Sequence, residues 1–359
     1  MNRIINTQMS RRKFLRRAAE LGLAAGAMGL GIGAILERIP RSPWDPKAFP
    51  PPGRATVAVL RATSYAGDLE QTVMDGLRLV GADVAGKSVL LKPNLVEIDP
   101  ASGINTDPRL IAATVAVMKR LGARSVTVGE GPGHRRDMQY VLKVSGLGDL
   151  LRDVNAPFVD LNTAAVTRTS LKTGWTQLGE LWLPTEVLDA DIVVSMPKMK
   201  THHWAGVTLS LKNMFGVVPG RIYGWPKNVL HFAGLQDAIL DVAAAVRPHL
   251  VIVDGIVGMQ GDGPIMGTPI SAGHLVFGRD PVAVDATAAR LMGVDPSRVG
   301  YIADAGRFLG EARPELITQA GEDPDRSVTP FQLRPEFEGL RSGPAPNGLS
   351  SQPANAAGG

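Results

Sequence analysis

Basic side chains are concentrated in one short stretch of the chain, directly after a predicted strand. Lys198, Lys200, His202 and His203 lie within six residues, and Lys212 follows nine residues later. Three lysines and two histidines near the ends of strands and helices would form a strongly positive pocket, suited to a carboxylate or a phosphate. Such crowding is expected to lower the pKa of a lysine, which suits a base, a Schiff base or a covalent cofactor link. A solvated basic loop is the alternative.

Four further polar or glycine-rich segments follow predicted strands, at residues 92–94, 129–135, 254–255 and 278–280. In open α/β sheets, ligands bind in the crevice outside the carboxyl ends of the strands. A turn explains any one of these segments, but five together favour a shared crevice. The residues that we expect to bind an anionic substrate there are Lys92, Asn94, Arg135, Lys198, Lys200 and Asn213.

Several other motifs have two interpretations. The glycines of residues 129–133 do not have the Gly-x-Gly-x-x-Gly spacing, and Pro132 removes a backbone donor, which argues against a dinucleotide site. The glycine-rich residues 261–267 indicate a turn or a lid. His231 opens a predicted helix, either as a metal ligand or as a helix cap. Helix caps explain the acidic residues as readily as metal binding does; these are Glu130, Asp254 and Asp285.

Composition excludes several classes of function. The chain has no cysteine, so it has no disulfide, thiolate zinc site, cysteine nucleophile or cysteine-bound iron–sulfur cluster. Any metal must be held by histidine, carboxylate, amide or a bound cofactor. The net charge of +4 comes from the N-terminus, because residues 1–36 hold six of the 38 basic residues and one of the 34 acidic ones. The remaining 32 basic and 33 acidic residues nearly cancel, so nucleic acid is not an expected partner.

Short β-branched runs alternate with longer amphipathic ones from residue 54 onward. This alternation predicts an α/β fold with a mostly parallel sheet and flanking helices. Residues 158–183 indicate a small antiparallel insertion. The predicted strands are residues 56–61, 88–92, 125–129, 191–196, 250–254 and 274–277. The predicted helices are residues 68–80, 108–121, 229–246 and 281–292.

The N-terminal 39 residues have the order of an export signal. Paired arginines, Arg11 and Arg12, precede Phe14, Leu15 and a weakly apolar run that ends at Leu36. This is the twin-arginine pattern, which predicts the twin-arginine translocase as a partner. The run is shorter than the ~20 residues that cross a bilayer, and it is either a cleaved leader or an uncleaved anchor. Both predict a protein that is periplasmic or anchored to the outer face of the inner membrane.

Three further segments complete the predicted organisation. Residues 40–53 are rich in proline and predict a stiff linker. The α/β domain is expected to span residues 54–341. Residues 342–359, rich in Ser, Pro, Ala, Asn and Gly, predict a disordered tail.

The motifs at the predicted strand ends resemble those of the domain of unknown function 362 family. They comprise Lys-Pro-Asn at residues 92–94, Pro-Lys-Met-Lys-Thr-His at 197–202, Leu-Lys-Asn at 211–213, Asp-Gly at 254–255 and Asp-Pro-Val-Ala-Val-Asp at 280–285. Some members of that family carry ferredoxin-type cluster modules, so the resemblance implies an iron–sulfur protein as a partner. This chain cannot hold such a cluster with its own cysteines.

A second, remoter resemblance is to the nickel-pincer lactate racemases. It is carried by Gly-His-Arg at residues 133–135, by His202, by Ala205-Gly206 with Lys212 six residues later, by Pro219-Gly220 and by His231. It implies that Lys212 carries the pincer cofactor and that His231 binds nickel. It also implies that His134 and His202 form the acid/base pair at a 2-hydroxy-acid carbon.

These observations predict an exported enzyme with a small anionic substrate, possible metal or cofactor dependence, and a catalytic set of His134, His202 and Lys212. A 2-hydroxy-acid isomerase or oxidoreductase is the activity that the racemase resemblance implies. The alternative is a non-enzymatic binding or accessory subunit of an exported iron–sulfur redox system. A structural envelope protein agrees poorly with so many polar strand ends.

Overall fold

The computed structural model describes residues 43–99 and 103–343. The predicted export signal and residues 344–359 of the predicted tail lie outside them. The folded unit begins at Trp44. None of its described helices has the length and apolar character to cross a membrane.

The first half of the chain alternates strands and helices as predicted. Its two longest helices begin after aspartates: Asp68 and Asp107 accept hydrogen bonds from the backbone N–H groups of Gln71 and Arg109, which would otherwise lack a partner. The elements are β1 (Ala55–Arg61), α1 (Leu69–Leu79), β2 (Ser88–Lys92), α2 (Pro108–Arg120), β3 (Ser125–Glu130), α3 (Met138–Val144), α4 (Leu147–Asp153) and β4 (Phe158–Asp160).

The second half contains the remaining α-helices and strands of the described residues. They are β5 (Val166–Ser170), β6 (Glu180–Pro184), α5 (Thr185–Leu188), β7 (Ile192–Ser195), β8 (Lys198–His202), β9 (Gly206–Thr208), α6 (Ser210–Asn213), α7 (Gly220–Tyr223), α8 (Asn228–Phe232), α9 (Leu235–Val246), β10 (Leu250–Gln260), β11 (Thr268–Gly278), α10 (Pro281–Leu291), α11 (Gly300–Ala305) and β12 (Ile317–Gly321).

One large sheet organises the molecule, with the strand order β12-β1-β11-β10-β7-β2-β3-β4. The pairs β2–β3, β2–β7, β3–β4, β7–β10 and β1–β12 are parallel, whereas β11 is antiparallel to both of its neighbours. β5 and β6 form a separate antiparallel pair. The predicted α/β class, with its mostly parallel sheet and small antiparallel insertion, is therefore confirmed.

Side chains alternate between two apolar layers across this sheet. Val57 and Val59 of β1 pack in the layer with α9, α10 and α11, whereas Ala58 faces the layer with α1 and α2. This follows from the two-residue period of a strand. Both faces are thus covered, and the carboxyl ends of the strands remain as the edge available to ligands.

Three details differ from the predictions. Lys198–His202, predicted as part of a polar segment that follows a strand, is itself strand β8, which pairs with β10 and β9. β10 continues beyond Asp254 to Gln260 because β11 pairs with its extension. The predicted helix at residues 229–246 divides into α8 and α9 at Gly234, whose φ of 100° is incompatible with a continuing right-handed helix.

The segment before β1, predicted as part of a linker, packs against the domain. Trp44 stacks on Phe308 at a centroid distance of 4.9 Å and forms a bridge with Thr173, and Phe49 is buried. These aromatic contacts hold residues 44–49 on the surface of the unit.

Candidate functional site

A pocket of about 350 Å³ opens beyond the carboxyl ends of β2 and β3. The turns after these strands supply one part of its lining. The rest comes from residues 200–208, which include β8 and β9, from residues 212–216 and 226–231, and from residues 264–265 of the β10–β11 connection. The pocket therefore has the position that the α/β rule predicts.

Seven of the predicted site residues line this pocket. They come from five separated parts of the sequence and are Asn94, His134, Lys200, His202, Lys212, Asn213 and His231. Three other predicted residues do not line it: Lys92 is buried at its edge, Lys198 faces another cluster, and Arg135 is exposed.

Lys92 and Glu130 form a buried ion pair next to the pocket. The Lys92 Nζ lies 2.8 Å from a Glu130 carboxylate oxygen, and both side chains are almost completely buried. Glu130 also accepts hydrogen bonds from the backbone N–H groups of Leu95 and Gly131, each at 2.8 Å. Glu130 is therefore neutralised by Lys92 and ties together the two turns that carry the pocket.

Lys198 belongs to a different buried network. Its Nζ lies 3.0 Å from the Asp254 carboxylate and 2.9 Å from the Tyr65 hydroxyl. The Tyr65 hydroxyl donates to Asp254 at 2.7 Å, and Asp254 also accepts from the backbone N–H of Asp107 at 2.9 Å. Every charge here has a partner, so Lys198 has a stabilising role in the fold.

Lys212 is the pocket cation with the fewest partners. Its Nζ lies 4.2 Å from the centre of the Phe215 ring. Among residues 43–99 and 103–343, no hydrogen bond or ion pair involves this ammonium group. Burial, reinforced by the charge of Lys92, lowers the pKa of Lys212 to about 8.

The backbone that carries Lys212 is held by a buried acid. The two oxygens of Asp285 accept hydrogen bonds from the N–H groups of Ser210 and Leu211, at 2.7 and 2.9 Å. Burial raises the pKa of Asp285 to about 8, although these two hydrogen bonds oppose the shift. Asp285 thus anchors the first turn of α6.

Two further lysines point into the pocket and are held by backbone carbonyls. The Lys200 Nζ donates to the carbonyls of Ile104 at 2.9 Å and Pro264 at 3.3 Å. The Lys227 Nζ donates to Gly131 at 2.9 Å and also to Val218. Burial lowers the pKa of Lys200 well below its ordinary value and that of Lys227 to about 7.

When neutral, His202 and His231 carry the proton on different ring nitrogens. The Nδ1 of His202 accepts from the backbone N–H groups of Trp204 and Ala205, at 3.0 and 3.2 Å. Neutral His202 therefore carries its proton on Nε2. The Nδ1 of His231 lies 3.1 Å from the Lys227 carbonyl, which can only accept, so the Nε2 of neutral His231 has a free lone pair.

Burial keeps both rings neutral. It is the largest cause of the lowered pKa of His202, well below the ordinary value, and of the lowered pKa of His231. The positive charge of Lys212 lowers both pKa values further. The pocket thus offers one imidazole N–H donor and one imidazole lone pair at neutral pH.

The hydrogen bonds of Asn213 determine the orientation of the side-chain amide of Asn94. Its Nδ2 donates to the Lys92 carbonyl and the Ser195 hydroxyl, so its Oδ1 is the acceptor for Asn94 Nδ2 at 3.2 Å. The Oδ1 of Asn94 takes no part in these hydrogen bonds. Within the described residues, this buried oxygen and the hydroxyl of Thr208 have no hydrogen-bond partner, and both residues line the pocket.

Comparisons with known proteins agree with the sequence motifs. The model of a domain of unknown function, DUF362, matches residues 89–290. This chain belongs to the DUF362 family. It is also 30% identical over 265 residues to a thylakoid-associated protein from Synechocystis sp., covering 70% of this chain and 79% of that protein. The predicted family membership is confirmed.

Two solved structures are similar to this DUF362 chain. The lactate racemase apoprotein from Thermoanaerobacterium thermosaccharolyticum is 12% identical, with a TM-score of 0.44, and the match covers 69% of this chain. It covers 58% of the racemase, less than two thirds of that protein. A protein from Thermotoga maritima is 13% identical, with a TM-score of 0.33 over 60% of this chain and 57% of that protein.

Three residues that line the pocket of this DUF362 protein were not predicted from the sequence to be functional. Trp204 and Phe215 frame the histidines and Lys212, and Lys227 adds a third lysine. Lys227 follows no strand and has a left-handed φ of 71°, so no periodic pattern marks it. The signal for Trp204 and Phe215 was their proximity to the motifs: Trp204 follows His203 directly, and Phe215 lies two residues after Asn213.

The metal hypothesis for His231 has limited support from the protein itself. Within residues 43–99 and 103–343, no three His, Asp or Glu side chains converge as metal ligands. His231 supplies a single ligand atom, its Nε2. That donor set suits a metal whose other ligands come from a bound cofactor.

Proposed function

We propose that this DUF362 protein is an enzyme that binds a small anionic substrate, a carboxylate or a phosphate, in the pocket around Lys212. The observation that carries the proposal is the Lys212 ammonium, which is half-buried in the pocket wall and has no acceptor among the described residues. A cation that is partly withdrawn from water without a partner is costly, and an anionic ligand supplies the missing partner.

The balance of charge in the pocket supports an anion. Glu130 is the acid among the lining residues, and Lys92 already neutralises it. Lys200, Lys212 and Lys227 have no carboxylate partner. With a pKa of about 8, Lys212 is protonated at neutral pH, so the site carries a positive charge without a carboxylate partner before a ligand binds, which favours a negative group.

Two oxygens favour a ligand that also has a hydroxyl group. The Asn94 Oδ1 and the Thr208 hydroxyl are buried and without partners among the described residues. Because an amide oxygen can only accept, its partner must be a donor. A 2-hydroxy acid combines such a donor with a carboxylate, which makes a 2-hydroxy-acid isomerase or oxidoreductase the activity that we favour.

The two histidines supply acid/base chemistry for such a substrate. The Nε2 lone pair of His231 can take a proton, and the Nε2–H of His202 can give one. Lys212 would hold the carboxylate while the proton moves. His134, which also lines the pocket, is a second candidate base.

In an alternative arrangement, in which Lys212 is not the cation that binds the substrate, Lys212 and His231 fit the cofactor that the racemase resemblance implies. Lys212 has a free amine with a lowered pKa, suited to a covalent link, and His231 has one free lone pair. A metal-bearing pincer cofactor would supply an electrophilic centre that accepts a hydride from the substrate carbon. In this arrangement His134 and His202 would handle the hydroxyl proton.

Proton transfer can be tested with protein purified from its native cells. The protein is incubated with 2-hydroxy acids in D2O, and deuterium at the substrate carbon and inversion of its configuration are followed by NMR and chiral chromatography. We expect turnover that His202→Gln and His231→Gln each reduce by about 10²-fold or more, while ligand binding persists. A protein that binds 2-hydroxy acids but never changes them would refute the enzymatic proposal.

The competing function is that of an accessory subunit beside an iron–sulfur protein. The complete lack of cysteine favours it, because this family member would then need a separate protein to carry electrons. Co-purification from native membranes and periplasm tests it. A stable complex with a cluster-bearing protein, and no turnover by the isolated chain, would favour this alternative.

We also propose export by the twin-arginine translocase, because of the paired Arg11 and Arg12. Replacing both with lysine should retain the protein in the cytoplasm, as cell fractionation would detect. Unchanged distribution of the double variant would contradict this proposal. Fractionation also separates a released protein from one anchored to the membrane.

A further inference from the structure

We infer that the substrate of this pocket is an amphiphilic anion, with a charged group that meets Lys212 and an alkyl or aryl group that extends along Trp204 to the surface. The inference rests on the proposed anion site and narrows the class of substrate. It excludes a substrate as short as a three-carbon hydroxy acid as the best ligand.

Much of the pocket wall is apolar. Five large apolar side chains line it alongside the lysines and histidines, namely Leu95, Val96, Trp204, Phe215 and Ile265. Ligand pockets typically combine such walls with a few polar groups that orient the ligand. A fully hydrophilic anion would leave these walls in contact with water.

Trp204 connects the interior of the pocket to the surface. Its ring packs edge-on against His231 at 5.5 Å and against His203 at 4.5 Å, between centroids. The residue nevertheless remains 59% exposed. One part of the indole therefore contacts His231 and His203, and another part is available to a ligand that reaches the solvent.

Apolar side chains continue from the pocket onto the surface. Phe232 follows the lining residue His231 and is 89% exposed, and Met266 follows the lining residue Ile265 and is 77% exposed. Val229, three residues before Phe232 in α8, is also exposed. Exposed large apolar groups are a feature of binding surfaces, and here they lie in the same chain segments as residues that line the pocket.

The size of the pocket agrees with a longer substrate. Its volume of about 350 Å³ corresponds to roughly a dozen water molecules at ~30 Å³ each. A carboxylate with two or three carbons would fill only part of it. Each additional buried methylene would displace water from the apolar wall and tighten binding.

Isothermal titration calorimetry on the full-length chain can test the inference. The probes are butyrate, hexanoate and octanoate, the alkyl phosphates of the same lengths, and hexanol as the uncharged control. We expect the affinity for the anions to rise about fourfold per methylene, with hexanol far weaker than hexanoate.

Two tryptophan variants test whether the alkyl chain binds at the pocket or elsewhere on the surface. Trp204→Ala should weaken octanoate binding about tenfold and leave butyrate binding nearly unchanged. Trp182→Ala is the matched control, because Trp182 is 40% exposed but does not line the pocket. It should leave the whole series unchanged.

The outcomes distinguish this inference from the proposed function. Binding of all the anions with the same affinity, whatever their length, would overturn the amphiphile and leave the anion site intact. No binding of any carboxylate or phosphate, or equal binding of hexanol, would overturn both. A dimer in sedimentation velocity that Trp204→Ala dissociates would also overturn the inference, because a second copy would then cover the apolar surface.

Discussion

Replacing Lys212 with methionine should separate ligand binding from stability. Methionine keeps most of the length of the side chain and its contact with Phe215 while removing the charge. In the unliganded protein, the pKa of Lys212 is lowered from 10.5 to about 8, so protonated Lys212 destabilises the folded state. At ~1.4 kcal/mol per pKa unit, this cost is at most about 3.5 kcal/mol, and the partial exposure of Lys212 reduces it.

The sign of this effect follows from proton linkage. Between pH 8 and 10.5 the unfolded chain binds more protons at Lys212 than the folded chain, so stability rises with pH in that window. Below pH 8 the full cost is present. Lys212→Met should therefore stabilise the unliganded protein at pH 7 by about 1–3 kcal/mol, measured by urea unfolding.

The same substitution should weaken anion binding. A hydrogen bond to a charged group contributes about 1.5–3 kcal/mol, so the dissociation constant should rise about 10- to 100-fold in calorimetry. Lys143→Met, on the exposed side of α3, is the matched control and should change neither property. A Lys212→Met protein with unchanged affinity, or with reduced stability and normal binding, would refute this reasoning.

The remaining predictions concern pH and the residues that support the pocket. Anion affinity should fall about tenfold per pH unit above pH 8, as Lys212 loses its proton; an affinity that is constant from pH 7 to 10 would contradict this. Lys92→Met should reduce the free energy of unfolding by about 3–5 kcal/mol, because it leaves the Glu130 carboxylate buried and unpaired; urea unfolding measures this, and a neutral effect is the contrary result. Asp285→Ala should cost about 2–4 kcal/mol in the same assay, because two buried N–H groups of α6 lose their acceptor, and it should weaken anion binding by displacing Lys212; normal binding would refute that positioning role.

The sequence predicts the framework of the fold well, because the pattern that marks each element is local. β2 spans the predicted residues 88–92, and α2 begins at Pro108, where an aspartate cap and a proline mark the start. The pairing of β11 with β1 and β10 depends on long-range contacts, which a local pattern does not record. The division at Gly234 likewise depends on a backbone conformation.

Local sequence patterns are also insufficient to predict which single side chains form the site. Polar strand ends predict a crevice, but they do not say which lysine reaches it. Lys198 and Lys200 lie two residues apart on β8, yet a register irregularity in the pairing with β10 separates their partners, Asp254 and Met259. Lys92 forms an ion pair with Glu130, which lies on the neighbouring strand β3. Lys227 enters from a segment without periodicity, so only the three-dimensional structure brings it to the pocket.

The pKa of Lys212 tests the central claim most directly. It can be followed through the 13Cε chemical shift of labelled lysine, assigned by the Lys212→Met variant, with and without a saturating carboxylate. The account predicts a pKa of about 8 in the free protein and a higher one in the complex, because the bound anion stabilises the charged form. A pKa near 10.5 in the free protein, or one that the bound anion does not change, would contradict it.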